Sequence, residues 1–317
     1  MIQNKLIKPK KLKKGDTIAV ISPSGAVKED KFFKPSIEYF ENNGYKIKIA
    51  PHAEDKKAYL AGADKDRLSD LMSFFEDESV NAILCSRGGY GSYRLLANID
   101  YEKININPKI FLGYSDITAL LISILNRSNL ITFHGPLFLS DFGTSKVDKY
   151  TEKNFFDILT GNIELPFKYS NPINYECIKS GQAEGELIAG NLAVFAGLLG
   201  TPYFPDVTGK ILLLEDVGEP LYKIDRMLMQ LKLAGVFDKI AGLLFGEFTC
   251  VVKSDSAEVN KLHPFDIVYE LTSDLKIPVG YGFPVSHGNT KATLPLGVKY
   301  SFNSKNSSLI LEENYLT

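Results

Sequence analysis

Short apolar segments alternate with amphipathic segments over the first 125 residues, and this alternation limits the possible folds. Strands that alternate with helices at this spacing form βαβ units around a parallel sheet. The sequence therefore predicts an N-terminal α/β domain over residues 1–145, with a flavodoxin- or amidotransferase-like parallel sheet. The predicted strands are Thr17–Ser22, Tyr45–Ala50, Val80–Cys85 and Lys109–Tyr114, and the predicted helices are Phe32–Asn42, Lys65–Phe75, one beginning at Ser92–Leu96, and Ile117–Leu125.

The pattern weakens after residue 145. Residues 146–175 are polar and contain two proline breaks, which predicts a linker with one helix near Asn154–Leu159. Residues 176–317 combine apolar strand patterns, helical patterns and an alternating tail. We therefore expect a smaller, β-rich C-terminal domain of mixed α+β structure over residues 176–317.

The charge and cysteine content exclude several classes of protein. Lys and Arg total 36 against 38 Asp and Glu, a net charge of −2 that gives no basic footprint for nucleic acid. No apolar segment approaches the length of a membrane span, and the N-terminus lacks the pattern of a secretory signal. Cys85, Cys177 and Cys250 are too widely spaced for a disulfide framework. We expect a soluble cytoplasmic protein with neither a nucleic-acid nor a membrane partner.

The ends of the predicted N-terminal strands carry the residues most suited to chemistry. Ligands of parallel sheets bind beyond the carboxyl ends of the strands. Three predicted strands end at Ser24-Gly25, at Arg87-Gly88-Gly89 and at Ser115-Asp116. We therefore place the candidate site at this edge of the sheet.

Ser115 lies in the run FLGYSDITALL, in which a buried strand passes into a helix without a spacer. Such a turn exposes one side chain and directs helix N-terminal amides toward the group that it attacks. Ser115 is thus a candidate nucleophile, and the alternative is that Ser115 or Asp116 only caps the helix.

Cys85 also lies at the end of a predicted strand and is a second possible nucleophile. No His-x-Glu pair accompanies it, and we interpret it as a buried strand residue.

A serine nucleophile needs a histidine base and an acid that orients it. His52 and His263 lie beside prolines and have no partner at metal-ligand spacing, so we expect no metal and no cofactor. His134 and His287 remain, each in a turn. His287 lies in a Gly- and Pro-bounded turn of the C-terminal half, so a pairing with Ser115 would place the site in the cleft between the domains.

Four acids are candidates for orienting the histidine. The strand Lys210–Leu214 ends in the run EDVGE, which contributes Glu215, Asp216 and Glu219, and Glu247 follows in the next strand region. Acids at a strand end are often only the solvated start of a loop. The residues alone do not choose among the four.

Six motifs match a known family in the same order along the chain. They are SRGGYGSYRLL, FLGYSDITALL, FHGP, GNLAVFAGLLGTPYFPD, LLLEDVGEPLYKIDRMLMQL and GFPVSHG. From Gly15 to about Tyr300 the chain resembles the LD-carboxypeptidases, the serine peptidase family that includes murein tetrapeptide carboxypeptidases and microcin C immunity proteins. The resemblance implies a catalytic triad of Ser115, Glu215 and His287, a two-domain fold, metal-independent activity and a homodimer. It assigns His134 to structure.

A serine peptidase also needs hydrogen-bond donors for the oxyanion that forms during the reaction, and residues that bind its substrate. The backbone amide of Asp116 lies at a helix N-terminus and is one candidate donor to the oxyanion. The Gly88-Gly89 turn is the natural second source, and the resemblance favours the amide of Gly89. Arg87 and Gly88 are candidate substrate-binding residues, Arg87 through a forked hydrogen-bond pair to the terminal carboxylate. The alternative for Arg87 is a surface salt bridge, and for the glycines a role in the turn alone.

The resemblance implies a serine LD-carboxypeptidase that removes the terminal D-alanine from murein tetrapeptides during cell-wall recycling. The substrate is then a small peptide, free or linked to a sugar or nucleotide. One alternative is an immunity-type hydrolase of peptidyl or aminoacyl adenylates, which is weighted lower because the chain has no Trp. Another is a two-lobed binding protein without catalysis, against which a complete triad argues.

Overall fold

The computed structural model describes residues 6–27, 33–144, 146–169, 174–249, 251–285, 287–288 and 290–317. Residues 170–173 of the predicted linker, Cys250, and Ser286 in the turn before His287 lie outside the described residues. Contacts within the chain divide it into two compact units. The first unit comprises Met1–Ile163, Thr293–Leu296 and Tyr315–Thr317, and the second comprises Glu164–Ala292 and Gly297–Asn314.

The strands and helices are numbered in chain order. The strands are β1 (Thr17–Ile21), β2 (Lys46–Ile49), β3 (Ala82–Cys85), β4 (Ile110–Gly113), β5 (Phe133–His134), β6 (Phe167–Lys168), β7 (Glu176–Lys179), β8 (Gln182–Asn191), β9 (Ile211–Val217), β10 (Gly242–Thr249), β11 (Val279–Phe283), β12 (Leu294–Pro295), β13 (Lys299–Asn303) and β14 (Ser308–Leu311). The helices are α1 (Phe33–Asn42), α2 (Asp64–Glu76), α3 (Tyr101–Ile106), α4 (Thr118–Ser128), α5 (Lys149–Thr160), α6 (Leu192–Leu198), α7 (Leu221–Leu233), α8 (Val236–Lys239) and α9 (Pro264–Thr272).

The first unit contains a sheet in the order β2-β1-β3-β4-β5-β12. Neighbouring strands from β2 to β5 are parallel, and β12 pairs antiparallel with β5. β3 and β4 are buried along their whole length, as expected for strands covered by helices on both faces. The order β2-β1-β3-β4-β5 is that of flavodoxin-like folds, so the predicted N-terminal fold is confirmed.

The second unit contains a mixed sheet in the order β6-β14-β13-β8-β9-β10-β11-β7. β8, β9, β10 and β11 are parallel to one another, and antiparallel strands flank them on both sides. The centre of β9 is fully buried from Ile211 to Leu214. The predicted mixed, β-rich character of the C-terminal half is therefore confirmed.

Two segments lie elsewhere than the predicted domain limits imply. The helix in the predicted linker extends over Lys149–Thr160 and belongs to the first unit, where Phe155 packs on Phe40 and Phe142. β12, from the predicted C-terminal domain, joins the first unit's sheet through its pairing with β5. Both placements depend on packing and pairing between segments far apart in the sequence, which local patterns do not contain.

The segment after β3 also differs from the predicted helix. Ser92–Arg94 and Leu96–Asn98 form short 3₁₀ turns, and the α-helix begins only at Tyr101, where Asp100 accepts a hydrogen bond from the Lys103 amide. Among the helices in the described ranges, none combines the length and the apolar character needed to cross a membrane.

Candidate active site

Ser115 occupies a strained turn between β4 and α4. Tyr114 continues the extended strand at φ −149°, and Ser115 has φ +65°, a left-handed conformation that is uncommon for a residue with a side chain. A short 3₁₀ turn over Ser115–Ile117 then leads directly into α4. Strain of this kind costs about 1–3 kcal/mol and persists where the surrounding structure fixes it, most often at functional sites. The local geometry is that of a strand-to-helix elbow.

The loop after β3 packs against the side chain of Ser115. A Cβ atom built on Gly88 would lie 2.7 Å from both Cβ and Oγ of Ser115, and 3.5 Å from the amide nitrogen of Asp116. Gly89 has φ +116°, which a residue with a side chain rarely adopts. This glycine pair therefore lets the backbone of the loop approach Ser115, the candidate nucleophile, closely.

We expect Gly88→Ala to lower kcat at least 100-fold, on the order of the loss of one oxyanion donor, because the added methyl group would displace Ser115 or the Gly88–Gly89 loop. Gly181→Ala is the matched control, since a Cβ there would meet Pro278 at 3.4 Å, an ordinary contact. Steady-state hydrolysis and circular dichroism of both variants test this. Wild-type turnover by a folded Gly88→Ala protein would show that the close approach is not needed.

The carboxylate of Asp116 connects the loops after β1 and β3 to the turn at Ser115. Asp116 is buried, and its Oδ2 accepts hydrogen bonds from Ser24 Oγ at 2.6 Å and from the Ser92 amide at 2.8 Å. Ser24 and Ser92 also share a hydrogen bond between their hydroxyls at 2.7 Å. The side chain of Asp116 thus has a structural role that the sequence did not predict, in addition to the role proposed for its amide.

Buried Arg67 also connects the loops after β1 and β3. Its guanidinium donates to the carbonyl oxygens of Pro23 and Gly91 and to Asp64 Oδ1. The loops after β1 and β3 are therefore held by charge-assisted hydrogen bonds as well as by the Asp116 carboxylate. Together these bonds fix the backbone that surrounds Ser115.

The second unit brings together two further predicted residues. Glu215 on β9 is fully buried, and its Oε2 accepts a hydrogen bond from Nδ1 of His287 at 2.8 Å. A carboxylate can only accept, so Nδ1 carries the proton and Nε2 is the basic nitrogen of the neutral ring. The imidazole remains 18 % exposed. An oriented, partly exposed imidazole with a buried carboxylate behind it is suited to general-base chemistry.

Asp216, the neighbour of Glu215, makes different contacts. Its carboxylate accepts hydrogen bonds from Asn191 Nδ2, from the Ala193 amide and from the Val217 amide. Asn191 ends β8, caps α6 through the Val194 amide and also lies 3.5 Å from Glu215 Oε1. Sequence reasoning missed Asn191, although an asparagine between an apolar strand and an apolar helix is a typical helix cap.

Burial raises the pKa of Asp216 from 3.8 to about 6 despite these hydrogen bonds. Because the folded pKa exceeds the unfolded one, the contribution of Asp216 to stability is fully present below pH 4 and is lost as the pH rises through about 6. Compared with Asp216→Asn, we expect the wild type to lose roughly 2–3 kcal/mol of unfolding free energy between pH 4 and 7. Urea unfolding of both proteins over this range measures the difference. A constant difference would contradict the assignment.

The other predicted residues have the following surroundings. Arg87 donates from Nη1 to the Ala26 carbonyl and lines a cavity with Gly89. Cys85 is fully buried, as predicted, and burial raises its thiol pKa. His134 is buried on β5. Two of the other acids considered for orienting the histidine are Glu219 and Glu247. Glu219 Oε2 lies 3.4 Å from Lys223 Nζ, and Glu247 lies on β10.

Comparison with known proteins identifies both halves of the chain. Residues 18–135 match the model of the LD-carboxypeptidase N-terminal domain, and residues 184–302 match that of the LD-carboxypeptidase C-terminal domain. The probable murein peptide carboxypeptidase of Bacillus subtilis is 36 % identical over 308 residues, covering 96 % of this chain and 94 % of the relative.

Solved structures show the same similarity. The microcin C7 self-immunity protein MccF superposes with a TM-score of 0.90 at 30 % identity, covering 98 % of this chain and 100 % of that chain. Other MccF structures hold glutamyl sulfamoyl guanosine or aspartyl sulfamoyl adenosine. The muramoyltetrapeptide carboxypeptidase of Oxalobacter formigenes gives a TM-score of 0.82 at 30 % identity, covering 95 % and 100 % of the two chains. The chain therefore belongs to the LD-carboxypeptidase family and is a serine-type carboxypeptidase.

Proposed function

We propose that this enzyme releases the C-terminal D-alanine from murein tetrapeptides, with Ser115 as nucleophile, His287 as general base and acid, and Glu215 as the orienting carboxylate. The observation that carries the proposal is the hydrogen bond from His287 Nδ1 to the fully buried Glu215. The left-handed backbone of Ser115 in its strand-to-helix turn supports the choice of nucleophile. The carboxypeptidase relatives support the substrate class.

The proposed reaction has two halves. Ser115 Oγ attacks the carbonyl carbon of the L-to-D peptide bond while its proton passes to Nε2 of His287. The bond to nitrogen then breaks, His287 returns the proton to the leaving amine, and D-alanine departs from an acyl-enzyme ester. Water attacks the ester with His287 again as base, and Ser115 regains its proton. Glu215 keeps the ring in the required tautomer and stabilises the imidazolium.

The first unit would supply the remaining groups. We assign the oxyanion to the amides of Gly89 and Asp116, which the close packing of the Gly88 loop on Ser115 supports. An exopeptidase must also bind the free carboxylate of its substrate, and we assign that role to Arg87 beside Gly88. One of the Arg87 nitrogens already bonds the Ala26 carbonyl, which orients the guanidinium.

The second candidate is hydrolysis of aminoacyl or peptidyl adenylates. The MccF structures with sulfamoyl nucleosides favour this possibility, since their ligands carry an amino acid on a nucleoside. One MccF variant with bound adenosine monophosphate has Trp replaced by Phe, whereas this chain has no Trp. The murein peptide therefore remains our first choice.

A direct comparison of kcat/KM separates the two candidates. The substrates are a murein tetrapeptide ending in D-alanine and a glutamyl adenylate, each with purified wild type and with Ser115→Ala to correct for spontaneous hydrolysis. We expect at least about 100-fold preference for the tetrapeptide, or roughly 3 kcal/mol of transition-state discrimination. A preference for the adenylate would establish the second candidate instead.

Three further proposals follow from the family resemblance. We infer a role in cell-wall recycling, a cytoplasmic location and a homodimer. Sedimentation equilibrium at micromolar concentration tests the oligomeric state, for which we expect a mass of two chains. Accumulation of uncleaved tetrapeptide in the cytoplasm of a deletion strain tests the role and the location together.

A further inference from the structure

One peptide group links the proposed oxyanion donor, the Gly89 amide, to the loop after β1. The carbonyl oxygen of Gly88 accepts a hydrogen bond from the Gly25 amide at 3.2 Å. This carbonyl and the N–H of Gly89 belong to the same planar trans peptide, so they point in opposite directions. The hydrogen bond from Gly25 therefore sets the direction in which the Gly89 N–H can donate.

The loops after β1 and β3 touch backbone to backbone at this peptide. A Cβ atom on Gly25 would lie 3.0 Å from the Gly88 carbonyl oxygen, and a Cβ atom on Gly89 would lie 3.1 Å from Cα of Gly25. Both distances are shorter than an ordinary van der Waals contact. Because all three residues are glycines, a shift of one loop is passed directly to the Gly88–Gly89 peptide.

Arg67 on α2 binds both loops. Its Nη1 donates to the carbonyl oxygen of Pro23 in the loop after β1 and, at 3.1 Å, to that of Gly91 in the loop after β3. Gly91 has φ +141°, and a Cβ atom there would lie 2.7 Å from Nη1. The lack of a side chain at Gly91 thus gives the guanidinium access to the loop. The two acceptors lie two residues from Gly25 and three residues from Gly88 in the sequence.

The burial of Arg67 indicates a role other than stability alone. Its side chain is fully buried, whereas its ionic partner Asp64 is 36 % exposed and is also bound by Arg94 at 2.7 Å. Removing a guanidinium from water is costly, and apolar side chains of the same volume are often at least as stabilising as a buried ion pair. A rigid, planar group of donors can instead hold two carbonyl groups in fixed positions, which an apolar side chain cannot do.

We propose that Arg67 is a positioning residue for the hydrolytic reaction. By binding the carbonyls of Pro23 and Gly91, it holds the two loops where the Gly25 amide orients the Gly88–Gly89 peptide for donation to the oxyanion. Arg67 acts through these loops and takes no part in the chemistry itself. The inference rests on the proposed function, which assigns the oxyanion to the Gly89 amide, and extends it to the residue that keeps this donor in place.

The first test is Arg67→Met, which keeps an unbranched side chain on α2 and removes every donor. We expect kcat for D-alanine release to fall about 100-fold, the loss that a misplacement of about 1 Å in the active site can cause. KM should stay close to the wild-type value, because the oxyanion contact is made in the transition state. Rates are expressed per active site, titrated to completion with diisopropyl fluorophosphate, so that unfolded protein does not contribute.

Arg67→Lys separates the charge from the planar fork. Its single nitrogen cannot occupy the positions of both Nη1, which binds the carbonyls of Pro23 and Gly91, and Nη2, which binds Asp64 at 2.6 Å. We expect kcat between those of the wild type and Arg67→Met, again with little change in KM. This variant decides the question if circular dichroism shows that Arg67→Met does not fold.

Gly25→Ala tests the peptide without changing Arg67. Its Cβ would press on the Gly88 carbonyl oxygen, so kcat should fall with KM unchanged, whereas Gly181→Ala should keep the wild-type kcat. Arg94→Met is the matched control for Arg67. It removes the other cation bound to Asp64 and no bond to the Pro23 or Gly91 carbonyl, and we expect wild-type kcat.

Three results would overturn the positioning role in an active enzyme. They are wild-type kcat in both Arg67 variants or in Gly25→Ala, a loss that appears in KM alone, and an equal loss of kcat in Arg94→Met. Failure of the peptidase proposal is separate, because the wild type itself would then release no D-alanine.

Discussion

Ser115→Ala should lower kcat for release of the terminal D-amino acid by about 10⁴- to 10⁶-fold, the loss seen when a serine nucleophile is removed from an intact triad. The substitution removes the only atom that can form the acyl-enzyme in the proposed reaction. Residual turnover would reflect the oxyanion amides and substrate binding alone. KM should change little, because Oγ contributes mainly to the transition state. Steady-state kinetics with the tetrapeptide measure both parameters.

Two controls separate chemistry from folding. Diisopropyl fluorophosphate should add one adduct to the wild type at Ser115 and none to Ser115→Ala, as read by intact mass and peptide mapping. Because Ser115 has φ +65°, Ser115→Gly should be more stable than Ser115→Ala by about 1 kcal/mol. An adduct on another serine, or a Ser115→Ala enzyme with substantial activity, would remove Ser115 from the mechanism.

His287→Ala should reduce kcat about as much as Ser115→Ala does. Glu215→Gln should reduce kcat by about 10³- to 10⁴-fold, as expected when the orienting carboxylate becomes an amide. In Glu215→Gln the amide NH₂ can donate to Nδ1, which moves the ring proton to Nε2 and removes the base. The hydrogen bond that this substitution would reverse is the one from His287 Nδ1 to Glu215 Oε2, at 2.8 Å. Both variants should still bind the tetrapeptide.

Glu258→Gln is the matched control, because it makes the same change on an exposed glutamate of the second unit. We expect it to have wild-type kinetics. Labelling by diisopropyl fluorophosphate should fall with kcat in His287→Ala, since the same base activates Ser115 for both reactions. If Glu215→Gln retained wild-type activity, the orienting acid would have to be sought among Asp216, Glu219 and Glu247.

Local sequence patterns predicted much of the first unit. β1, β3 and β4 are continuous apolar runs, and each ends near the residue at which its pattern ends. The elbow at Ser115 was visible because a buried strand meets a helix without a spacer. Its left-handed φ was not predictable from the sequence, since serine itself does not favour that conformation.

Longer-range features were beyond these patterns. The two-residue strand β12 is defined only by its pairing with β5, and the position of α5 depends on aromatic packing around Phe155. Asp116 is hydrogen-bonded to Ser24, which lies 92 positions earlier in the chain, and to Ser92, which lies 24 positions earlier. The choice of Glu215 among four acids came from family resemblance, and the structure adds its bond to His287. The catalytic roles of Ser115, Glu215 and His287 stay predictions.

The most direct test of the proposed function is mass spectrometry of two synthetic tetrapeptides after incubation with the wild type and with Ser115→Ala. One peptide ends in D-alanine and the other in L-alanine. We predict that the wild type converts only the D-alanine peptide to tripeptide and free D-alanine, and that Ser115→Ala converts neither. Release of both amino acids, of L-alanine alone, or of none by folded wild type would contradict it.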